Sequence, residues 1–454
     1  MKLAPYPEYK DSDVPWLGKV PAHWDTLPLR WQLRIGSGDF LSGERMKRFR
    51  TDECPVPVIG GNGVMAYTSE SNTENPTIVI GRVGALCGNV HLTHAPSWVT
   101  DNALRLGFVK RFQLPFLTEQ LRVMNLNRLA NVSAQPLVTG GMIKAQKAVC
   151  PPSSEQAQIV RFLDWKTSQI NEFIRNKRRL IELLKEQKQN IINQAVTRGL
   201  DPNVKLKPSG VEWIGDIPEH WEARRLKTVA KVVLGKMLKT SPSTDDLLKA
   251  YLRSANIQWF EADVSDVATM WFSPAEMKQY RILKNDILVS EGGEAGRACI
   301  WKDQLDECYI QNSVHKVTAG EEILPLFLLY QFSALGSQGV FKAVVNRVSI
   351  AHLTREKLVV LFFCKPPVEE QKIIVEYIQG KSAEIDQSIF RAQREIELMR
   401  EYRTRLISDV VTGQVDVRGI KVPEVAEDEL MVLEDDAAES DEVVDDEGDM
   451  DESD

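Results

Sequence analysis

A stretch of eleven residues occurs twice in this chain, and this repeat limits the possible folds more than any other feature. VPWLGKVPAHW covers residues 14–24, and VEWIGDIPEHW covers residues 211–221. Six of the eleven positions are identical, including two Trp, one Pro and one His. Residues as rare as Trp and His do not recur at this spacing by chance, so the chain contains two copies of one structural plan.

A second pair of similar segments follows in both copies. CPPSSEQAQIV begins at Cys150 and KPPVEEQKIIV begins at Lys365, so each copy has two prolines followed by Glu-Gln. Proline is tolerated at a helix start, where its missing N–H is not needed. Apolar residues then recur at steps of three, four and seven, until Gly199 and Gly413 end the two segments. The pattern predicts one long helix in each copy.

Each predicted helix has a single apolar stripe. About 40 residues at 1.5 Å each make a rod of roughly 60 Å, which is too long for one small domain to cover. We therefore expect the two helices to pair with each other, and the chain order favours an antiparallel pair; an ordinary core helix is the alternative. The stripe residues are Leu163, Ile170, Phe173, Ile174, Leu180, Ile181, Leu184, Ile191 and Ala195 in the first helix, and Ile378, Ile385, Ile389, Ile396, Met399, Leu406 and Val410 in the second.

The regions between the repeated segments have diverged but keep a common outline. IGRVGALCGNV (residues 80–90) is similar to LVSEGGEAGRA (residues 288–298), and each follows a strand-like run. The glycines in both stretches predict tight turns that let the backbone approach another group closely. Two regions that share strand and glycine positions but differ in their other residues are predicted to have one fold and two different binding specificities.

These features together resemble the specificity (S) subunit of type I DNA restriction–modification systems. The resemblance rests on the Trp-rich segments, the PPSSEQ and PPVEEQ helix starts and the two-copy order, over residues 1 to about 420. It implies an α+β protein with two similar globular target-recognition domains, separated by a long antiparallel two-helix coiled coil with pseudo-two-fold symmetry. The implied divisions are 1–150 and 200–365 for the recognition domains, the latter with a linker, and 151–199 and 366–414 for the helices. The resemblance does not cover residues 421–454, which are predicted from their composition to be an acidic disordered tail.

The same resemblance implies a function without catalysis in this chain. Each recognition domain would read one half of a bipartite double-stranded DNA target, and the helices would dock two modification (methyltransferase) subunits. Those partners use S-adenosylmethionine to methylate adenine N6, so no cofactor is expected here. Two restriction subunits would complete the complex. No membrane partner is expected, and the cytoplasm is the expected location, since no apolar run is long enough to span a bilayer and no signal-peptide core occurs.

Motifs of catalysis and metal binding provide a separate indication of what the chain does. It contains no Asn/Asp-Pro-Pro-aromatic loop for a flipped base and no GxxxxGK[ST] loop for a nucleotide. A chain that itself carries methyltransferase or nuclease activity is the alternative. HLTH (residues 91–94) lies near Cys87 but has no fourth ligand at matching spacing, so no metal site is predicted. The six cysteines lack CxxC spacing and indicate neither a disulfide framework nor a zinc ribbon.

The net charge of −8 combines two different parts of the chain. Residues 421–454 contain 17 acidic residues and one Lys, which leaves 55 basic and 47 acidic residues in 1–420. Self-repulsion and the lack of aromatic residues predict a disordered tail. This tail is either a solubilising extension or a competitor with DNA for the basic surface.

The mildly basic body fits a nucleic-acid partner. Base edges are read by Arg, Lys, Asn or Gln, and further cations contact phosphates. GERMKRFR (residues 43–50), beside a Gly-rich loop, predicts a phosphate-binding segment; a solvated charged face is the alternative. For each single residue, a turn or surface role is the alternative. The predicted DNA-binding residues are Arg45, Lys47, Arg48, Arg50, Asn62 and Arg82 in the first copy, and Lys236, Lys239, Arg253, Asn256 and Arg347 in the second.

The Trp, Pro and His residues of the opening repeat predict a structural clasp rather than a catalytic site. We expect it where each domain meets the long helices or a modification subunit. Trp16, Trp24, Trp213 and Trp221 are then expected to be buried in the assembly.

Overall fold

The structure is a computed structural model that describes residues 4–130, 136–345 and 352–423. These residues form two compact units: the described parts of Met1–Lys177 and Arg394–Asp454 form one, and those of Arg178–Gln393 form the other. Each unit combines one globular domain with a part of both long helices. The predicted contact Arg347 and the tail from residue 424 onward lie outside the described residues.

The first domain contains strands β1–β11 and two short helices, and it leads into the first long helix. The elements are β1 (Tyr9–Asp11), β2 (Lys19–Pro21), β3 (Asp25–Pro28), β4 (Leu33–Ser37), β5 (Val56–Gly60), β6 (Gly63–Thr68), β7 (Thr77–Gly81), β8 (Val90–Thr93), β9 (Trp98–Val99), β10 (Ala103–Val109), α1 (Leu114–Val123), α2 (Gly140–Lys144), β11 (Lys147–Cys150) and the long helix α3 (Ser153–Arg198).

The second domain repeats this strand order with three further short helices and leads into the second long helix. The elements are β12 (Leu206–Pro208), β13 (Asp216–Pro218), β14 (Glu222–Arg225), α4 (Leu226–Val229), β15 (Ala230–Leu234), β16 (Leu247–Leu252), β17 (Ala268–Phe272), α5 (Pro274–Tyr280), β18 (Ile287–Ser290), β19 (Ala298–Ile300), β20 (Tyr309–Ile310), β21 (Val314–Ala319), α6 (Pro325–Ser337), α7 (Val340–Val344), α8 (Arg355–Leu358), β22 (Phe362–Lys365) and the long helix α9 (Val368–Val411).

The sheets of the two domains match strand for strand. The four-stranded antiparallel sheet β4-β10-β7-β8 of the first domain corresponds to β15-β21-β18-β19 of the second. The three-stranded sheet β6-β5-β9 corresponds to β17-β16-β20, and in both the last pair is parallel. The ribbons β1-β2 and β11-β3 likewise correspond to β12-β13 and β14-β22. The divergent sequences therefore encode one topology, and the predicted α+β fold with two similar domains is confirmed.

Apolar packing of one helix on each four-stranded sheet forms the main cores. In the first domain α1 packs on β7 and β8, and its Phe116 and Leu117 are fully buried. In the second domain α6 packs on β19 and β21, with Phe327 and Phe332 fully buried. Burial of each such aromatic side chain stabilises a domain by about 2–3 kcal/mol.

The long helices run antiparallel within each unit. In the first unit, Lys177 Nζ lies 2.6 Å from Glu395 Oε2, and Arg403 Nη1 donates to Asn171 Oδ1 at 2.9 Å, so later positions of α3 face earlier positions of α9. In the second unit, one apolar cluster joins the end of α3 to the start of α9. The predicted antiparallel pairing is therefore observed in both units.

Most of the predicted apolar stripe is buried, with one exception. Ile170, Ile174 and Ile181 are at most 7% exposed, whereas Leu180 is 41% exposed. Ile181 lies seven residues, or two helical turns, after Ile174 and so faces the partner helix as Ile174 does. Leu180, one residue earlier, must then lie on another face of the helix. Including Leu180 in the stripe was wrong for this reason.

The opening repeat of the first copy is joined to the start of α3 by one carboxylate. Glu155, which is 5% exposed, accepts hydrogen bonds from Tyr6 Oη at 2.6 Å and Trp24 Nε1 at 3.0 Å, and its Oε2 lies 2.8 Å from His23 Nε2. Burial and the Glu155 carboxylate raise the pKa of Tyr6, so its hydroxyl remains a donor. Gly413, just after α9, also lies against the Trp24 ring.

The second copy has the same clasp. Trp221 Nε1 donates to Glu370 Oε2 at 3.1 Å, and His220 Nε2 lies 2.8 Å from the same oxygen. Gly199, at the end of α3, lies against the Trp221 ring. The predicted clasp therefore exists within the chain. Trp24 and Trp221 are fully buried, whereas Trp16 and Trp213 are only half-buried.

The glutamine that follows each clasp carboxylate fixes the start of the core helix. Gln156 Oε1 accepts from the backbone N–H of Gln113 at 2.8 Å, just before α1. Gln371 Oε1 accepts from the N–H of Leu324 at 2.8 Å, just before α6. The repeated Glu-Gln pair thus joins each domain to its long helix through side-chain hydrogen bonds.

Candidate nucleic-acid interface

Several connecting segments of the first domain meet at one edge of its sheets. Gly38 N donates to Ala103 O at 3.0 Å, and Arg82 N donates to Asn102 O at 3.0 Å. The Asn89 amide donates to Asn62 Oδ1 at 3.3 Å, which joins the β5–β6 turn to the β7–β8 connection. We call this surface the first loop edge; it consists of residues 38–42, 61–62, 82–89 and 100–102.

The second domain has the same edge, formed by the equivalent connections. Gly235 N donates to Val314 O at 3.0 Å, and Glu291 N donates to Ser313 O at 2.9 Å. Ser254 Oγ donates to Ser313 O at 2.7 Å and so attaches the segment after β16. We call this surface the second loop edge; it consists of residues 235–239, 253–256, 291–297 and 311–313.

A glycine is required at the same point of both edges. A Cβ on Gly38 would lie 2.2 Å from Thr100 O, and one on Gly235 would lie 2.2 Å from Gln311 O. Both distances are far below van der Waals contact, and the obstructing atoms are backbone. The residues that follow these two glycines therefore start from the same backbone position in the two domains.

The structure separates the predicted contacts of the first domain into two groups. Asn62 and Arg82 lie on the first loop edge, where Asn62 is exposed and Arg82 is half-buried. The basic run lies beside β6 instead, because Lys47 pairs through its backbone with Tyr67. Tyr67 is four residues from the turn at Gly63, which corresponds to roughly 13 Å along a strand. The run is thus displaced from the edge and suits phosphates better than base edges.

The four cations of the basic run are all exposed. Arg45 forms an exposed ion pair with Glu70 at 3.2 Å. The Arg48 guanidinium lies 5.6 Å from the centre of the Phe49 ring. Exposed pairs of this kind contribute little to stability and can exchange for phosphate oxygens.

Lys236 in the second domain is committed to internal contacts. Its side chain is 7% exposed, its ammonium is paired with Glu276, and it lies 5.2 Å from the Phe272 ring centre. Burial tends to raise the pKa of Glu276, but the hydrogen bonds from Lys236 and Ser273 outweigh it and the pKa is lowered. A phosphate contact would require Lys236 to leave this pair.

The other predicted contacts in the second domain are also engaged. Lys239 pairs with Asp246 at 2.5 Å, and this hydrogen bond is the main reason that the pKa of Asp246 is lowered. Arg253 pairs with Asp266. Asn256 is 4% exposed and holds the loop by donating to Asp263 O and Asp266 O. Asn256 thus has a structural position, and its role in DNA binding stays a prediction.

Sequence reasoning did not identify Glu291, which occupies the same place as Arg82. Each is the first residue after its strand, β7 or β18, and each donates its N–H to the residue just before the adjacent strand of the sheet, β10 or β21. Burial raises the pKa of Glu291. The alignment of the two Gly-containing segments pairs Arg82 with Ser290, one residue before Glu291, and a search for basic and amide residues alone excluded a carboxylate.

An ion pair between Asp39 and Arg105, also unpredicted, lies beside the first loop edge. Arg105 Nη2 lies 3.3 Å from Asp39 Oδ2, and Asn72 Nδ2 donates to the same oxygen at 2.9 Å. Asp39 is the residue after Gly38 and is therefore equivalent to Lys236 after Gly235. The two domains carry opposite charges at this position.

Two further observations concern metal-binding groups and membrane-spanning helices among the described residues. Within residues 4–130, 136–345 and 352–423, no three His, Cys, Asp or Glu side chains come together as a metal-binding group. No helix in this part of the chain is both long enough and apolar enough to cross a bilayer.

Comparison with known proteins gives consistent results for sequence and fold. The type I restriction enzyme EcoprrI specificity subunit of Escherichia coli is 29% identical over 132 residues, which is 29% of this chain and 33% of that protein. The MjaVIII specificity subunit of Methanocaldococcus jannaschii is 23% identical over 414 residues, covering 89% of this chain and 91% of that protein.

A chain from a solved structure, concerned with complex assembly and conformational transition of the type I R-M system, has a similar fold. Its TM-score is 0.63 at 13% identity, covering 86% of this chain and 98% of that chain.

The family model described as the type I restriction modification DNA specificity domain matches residues 39–191 and 218–391. Each match contains most of one domain and a large part of one long helix, so the two copies seen in the sequence and in the sheets correspond to two family domains. Since the matches together cover well over half of the chain, it belongs to the family of type I restriction–modification specificity subunits.

Proposed function

We propose that this chain reads a bipartite DNA target, with each recognition domain reading one half through its loop edge. The observation that carries the proposal is the pair Arg82 and Glu291, which occupy equivalent backbone positions with opposite charge. An Arg pairs with guanine O6 and N7, whereas a Glu accepts from the cytosine N4 amine. Two domains that have the same backbone but oppositely charged side chains at this position suit two different half-sites.

Phosphate contacts are assigned to the exposed cations around the edges. In the first domain these are Arg45, Lys47, Arg48 and Arg50, with Asn62 and Arg82 nearer to the bases. In the second domain Lys239 and Arg253 are partly exposed and take this role by exchanging their acidic partners for phosphates. Arg347, Lys236 and Asn256 remain predicted contacts without further support.

The long helices are proposed to dock the modification subunits. Several large apolar side chains on them are exposed, and such positions typically mark protein interfaces. They are Leu180 and Leu183 on α3, and Ile373, Tyr377, Phe390, Leu398 and Tyr402 on α9.

Catalysis in this proposal belongs to the partners. Two modification subunits bind S-adenosylmethionine and methylate adenine N6, and two restriction subunits complete the complex in the cytoplasm. This chain supplies sequence recognition and assembly.

Mapping methylated adenines in cells tests the proposal. The chain is co-expressed with its modification subunits as wild type, Arg82→Ala or Glu291→Ala, and methylation is mapped across the genome. We expect Arg82→Ala to relax one base pair of one half-site by about 10- to 100-fold. Glu291→Ala should relax one base pair of the other half-site by a similar factor.

Matched controls lie at the opposite ends of the same sheets. Lys110→Ala follows β10 and Glu321→Ala follows β21, and neither should alter the target. Relaxation of both half-sites by one substitution would refute the assignment of one domain to each half. An unchanged target in both edge variants would remove Arg82 and Glu291 from base reading.

A further inference from the structure

Phe40 and Met237 occupy the same place in the two domains. The preceding residue in each domain, Asp39 or Lys236, forms a backbone hydrogen bond to a short strand. Asp39 N donates to Val99 O, and Lys236 N donates to Ile310 O, both at 3.0 Å. Asp39 and Lys236 also form matching parallel bridges, to Thr100 and to Gln311. Phe40 and Met237, the next residues, are therefore attached to equivalent backbone positions of the two loop edges.

Both side chains are unusually exposed. Phe40 and Met237 are each 75% exposed, and no other large apolar side chain among the described residues is more exposed. Each is attached to backbone that the preceding glycine holds against another strand, so the exposure belongs to an ordered segment. A large apolar group displayed in this way typically marks a binding site.

The residues around these two positions differ between the domains. Asp39 is replaced by Lys236, and Arg82 is replaced by Glu291, whereas Phe40 and Met237 are both large and apolar. A group that read a particular base would vary with the half-site, as Arg82 and Glu291 do. A group kept apolar in both domains performs a task that both half-sites need.

We propose that Phe40 and Met237 are apolar wedges, each of which enters a base step of its half-site and unstacks it. This inference rests on the proposed function. Phe and Met are among the side chains that open base steps in bent DNA, and contact with base faces does not depend on sequence. The exposed cations that follow Phe40 along the chain, from Arg45 to Arg50, provide phosphate contacts for DNA held at this surface.

Base stacking can be measured directly in a fluorescent duplex. The probe is a duplex containing the target mapped by methylation, with 2-aminopurine replacing one adenine at a time but never the methylated adenine, which the methyltransferase itself flips out of the stack. The protein is the chain assembled with its modification subunits. We expect increased fluorescence at one step in each half-site. Phe40→Ala should abolish the increase in one half-site only, Met237→Ala in the other only, and each should weaken binding by about tenfold.

Conservative and distant substitutions make the test specific. Phe40→Leu should retain most of the increase, since Leu can also act as a wedge. Trp31→Ala and Leu283→Ala remove exposed side chains that are 67% and 57% exposed and precede β4 and β18, away from the loop edges. Both controls should leave the fluorescence unchanged.

Several results would overturn the wedge. One is a complex that binds its target selectively but raises fluorescence at no step. Another is an increase that survives Phe40→Ala and Met237→Ala together. Weaker binding on replacing thymine by deoxyuridine, without any fluorescence change, would assign these side chains to thymine methyl groups. Loss of the modification subunits from the Phe40→Ala complex in gel filtration would assign them to a protein interface. A complex with no preference for its target would instead refute the proposed function itself.

Discussion

The two recognition domains share their strand order but not the charges on it. At the position after the anchoring glycine, the first domain has Asp39 beside Arg105, and the second has Lys236 beside Glu276. The residue after the glycine is acidic with a basic partner in the first domain, and it is basic with an acidic partner in the second. Backbone hydrogen bonds and glycine packing therefore define the backbone of the loop edge, while the charged side chains on it are exchangeable.

The clasps show the opposite behaviour, since their residue types are kept in both copies. A Trp and a His contact the Glu carboxylate in both copies, at Glu155 and at Glu370, and a glycine lies against the Trp ring in each. These groups join a domain to the long helices, which is a task common to both halves. What is repeated in the sequence is therefore the attachment of each domain, and what varies is the loop edge that we propose reads DNA.

Removing the clasp carboxylates gives the largest expected effect and tests whether the two attachments are equally strong. Glu155 is 5% exposed and has three partners, including Tyr6, whereas Glu370 is 30% exposed and has two. Glu155→Ala leaves buried donors without partners, so we expect about 3 kcal/mol of destabilisation, against about 1–2 kcal/mol for Glu370→Ala. Hydrogen exchange read separately for each unit measures both, because a chain with two units need not unfold in one step.

Glu182→Ala is the control for this experiment. Its side chain is 62% exposed and pairs with Lys185 on the surface of α3, so its removal should change stability by less than about 0.5 kcal/mol. Equal losses for Glu155→Ala and Glu370→Ala would show that burial and the Tyr6 bond add nothing to the first clasp.

The salt dependence of DNA binding tests whether the first domain presents more unpaired positive charge to phosphates than the second. Changing Arg45, Lys47, Arg48 and Arg50 together to Ala should weaken binding on the order of tenfold at physiological salt. It should also reduce the slope of log affinity against log salt by up to about 3.6. Lys239→Ala with Arg253→Ala should reduce this slope by less than about 1, because both cations have acidic partners that compete with phosphate.

Titration of binding against salt for the complex with modification subunits measures both slopes. A slope that the fourfold variant leaves unchanged would place the basic run on a solvated face. A large decrease for the Lys239 and Arg253 variant would mean that their ion pairs open on binding.

The sequence predicted what the two copies share and much less of what distinguishes them. The long helices, their glycine ends and the Trp24 and Trp221 clasps followed from repeats and apolar spacing. The environment of Lys236 did not, because its burial depends on Glu276 in α5, and no local pattern links two residues 40 positions apart. The predicted division at residues 150, 199, 365 and 414 stays a prediction, since each compact unit takes a part of both helices.

The smallest expected effect concerns the pH dependence of the Lys236 and Glu276 pair. Because the pKa of Glu276 is lowered in the folded protein, its stabilising contribution is present above the unfolded pKa of about 4.3. This contribution is lost as the pH falls through the lower folded pKa. The stability difference between wild type and Glu276→Gln in the second domain should therefore be larger at pH 6 than at pH 3.

Hydrogen exchange read in the second unit of both proteins at the two pH values measures this difference. Glu261→Gln is the control, because Glu261 is 75% exposed and lies 3.9 Å from Lys302, so its contribution is screened by solvent. If the difference for Glu276→Gln stays constant between the two pH values, the carboxylate does not stabilise the buried ammonium. Lys236 could then leave Glu276 at little cost and contact a phosphate, whereas Asp39 is an anion and repels phosphate. The two loop edges would therefore differ in their phosphate contacts as well as in Arg82 and Glu291.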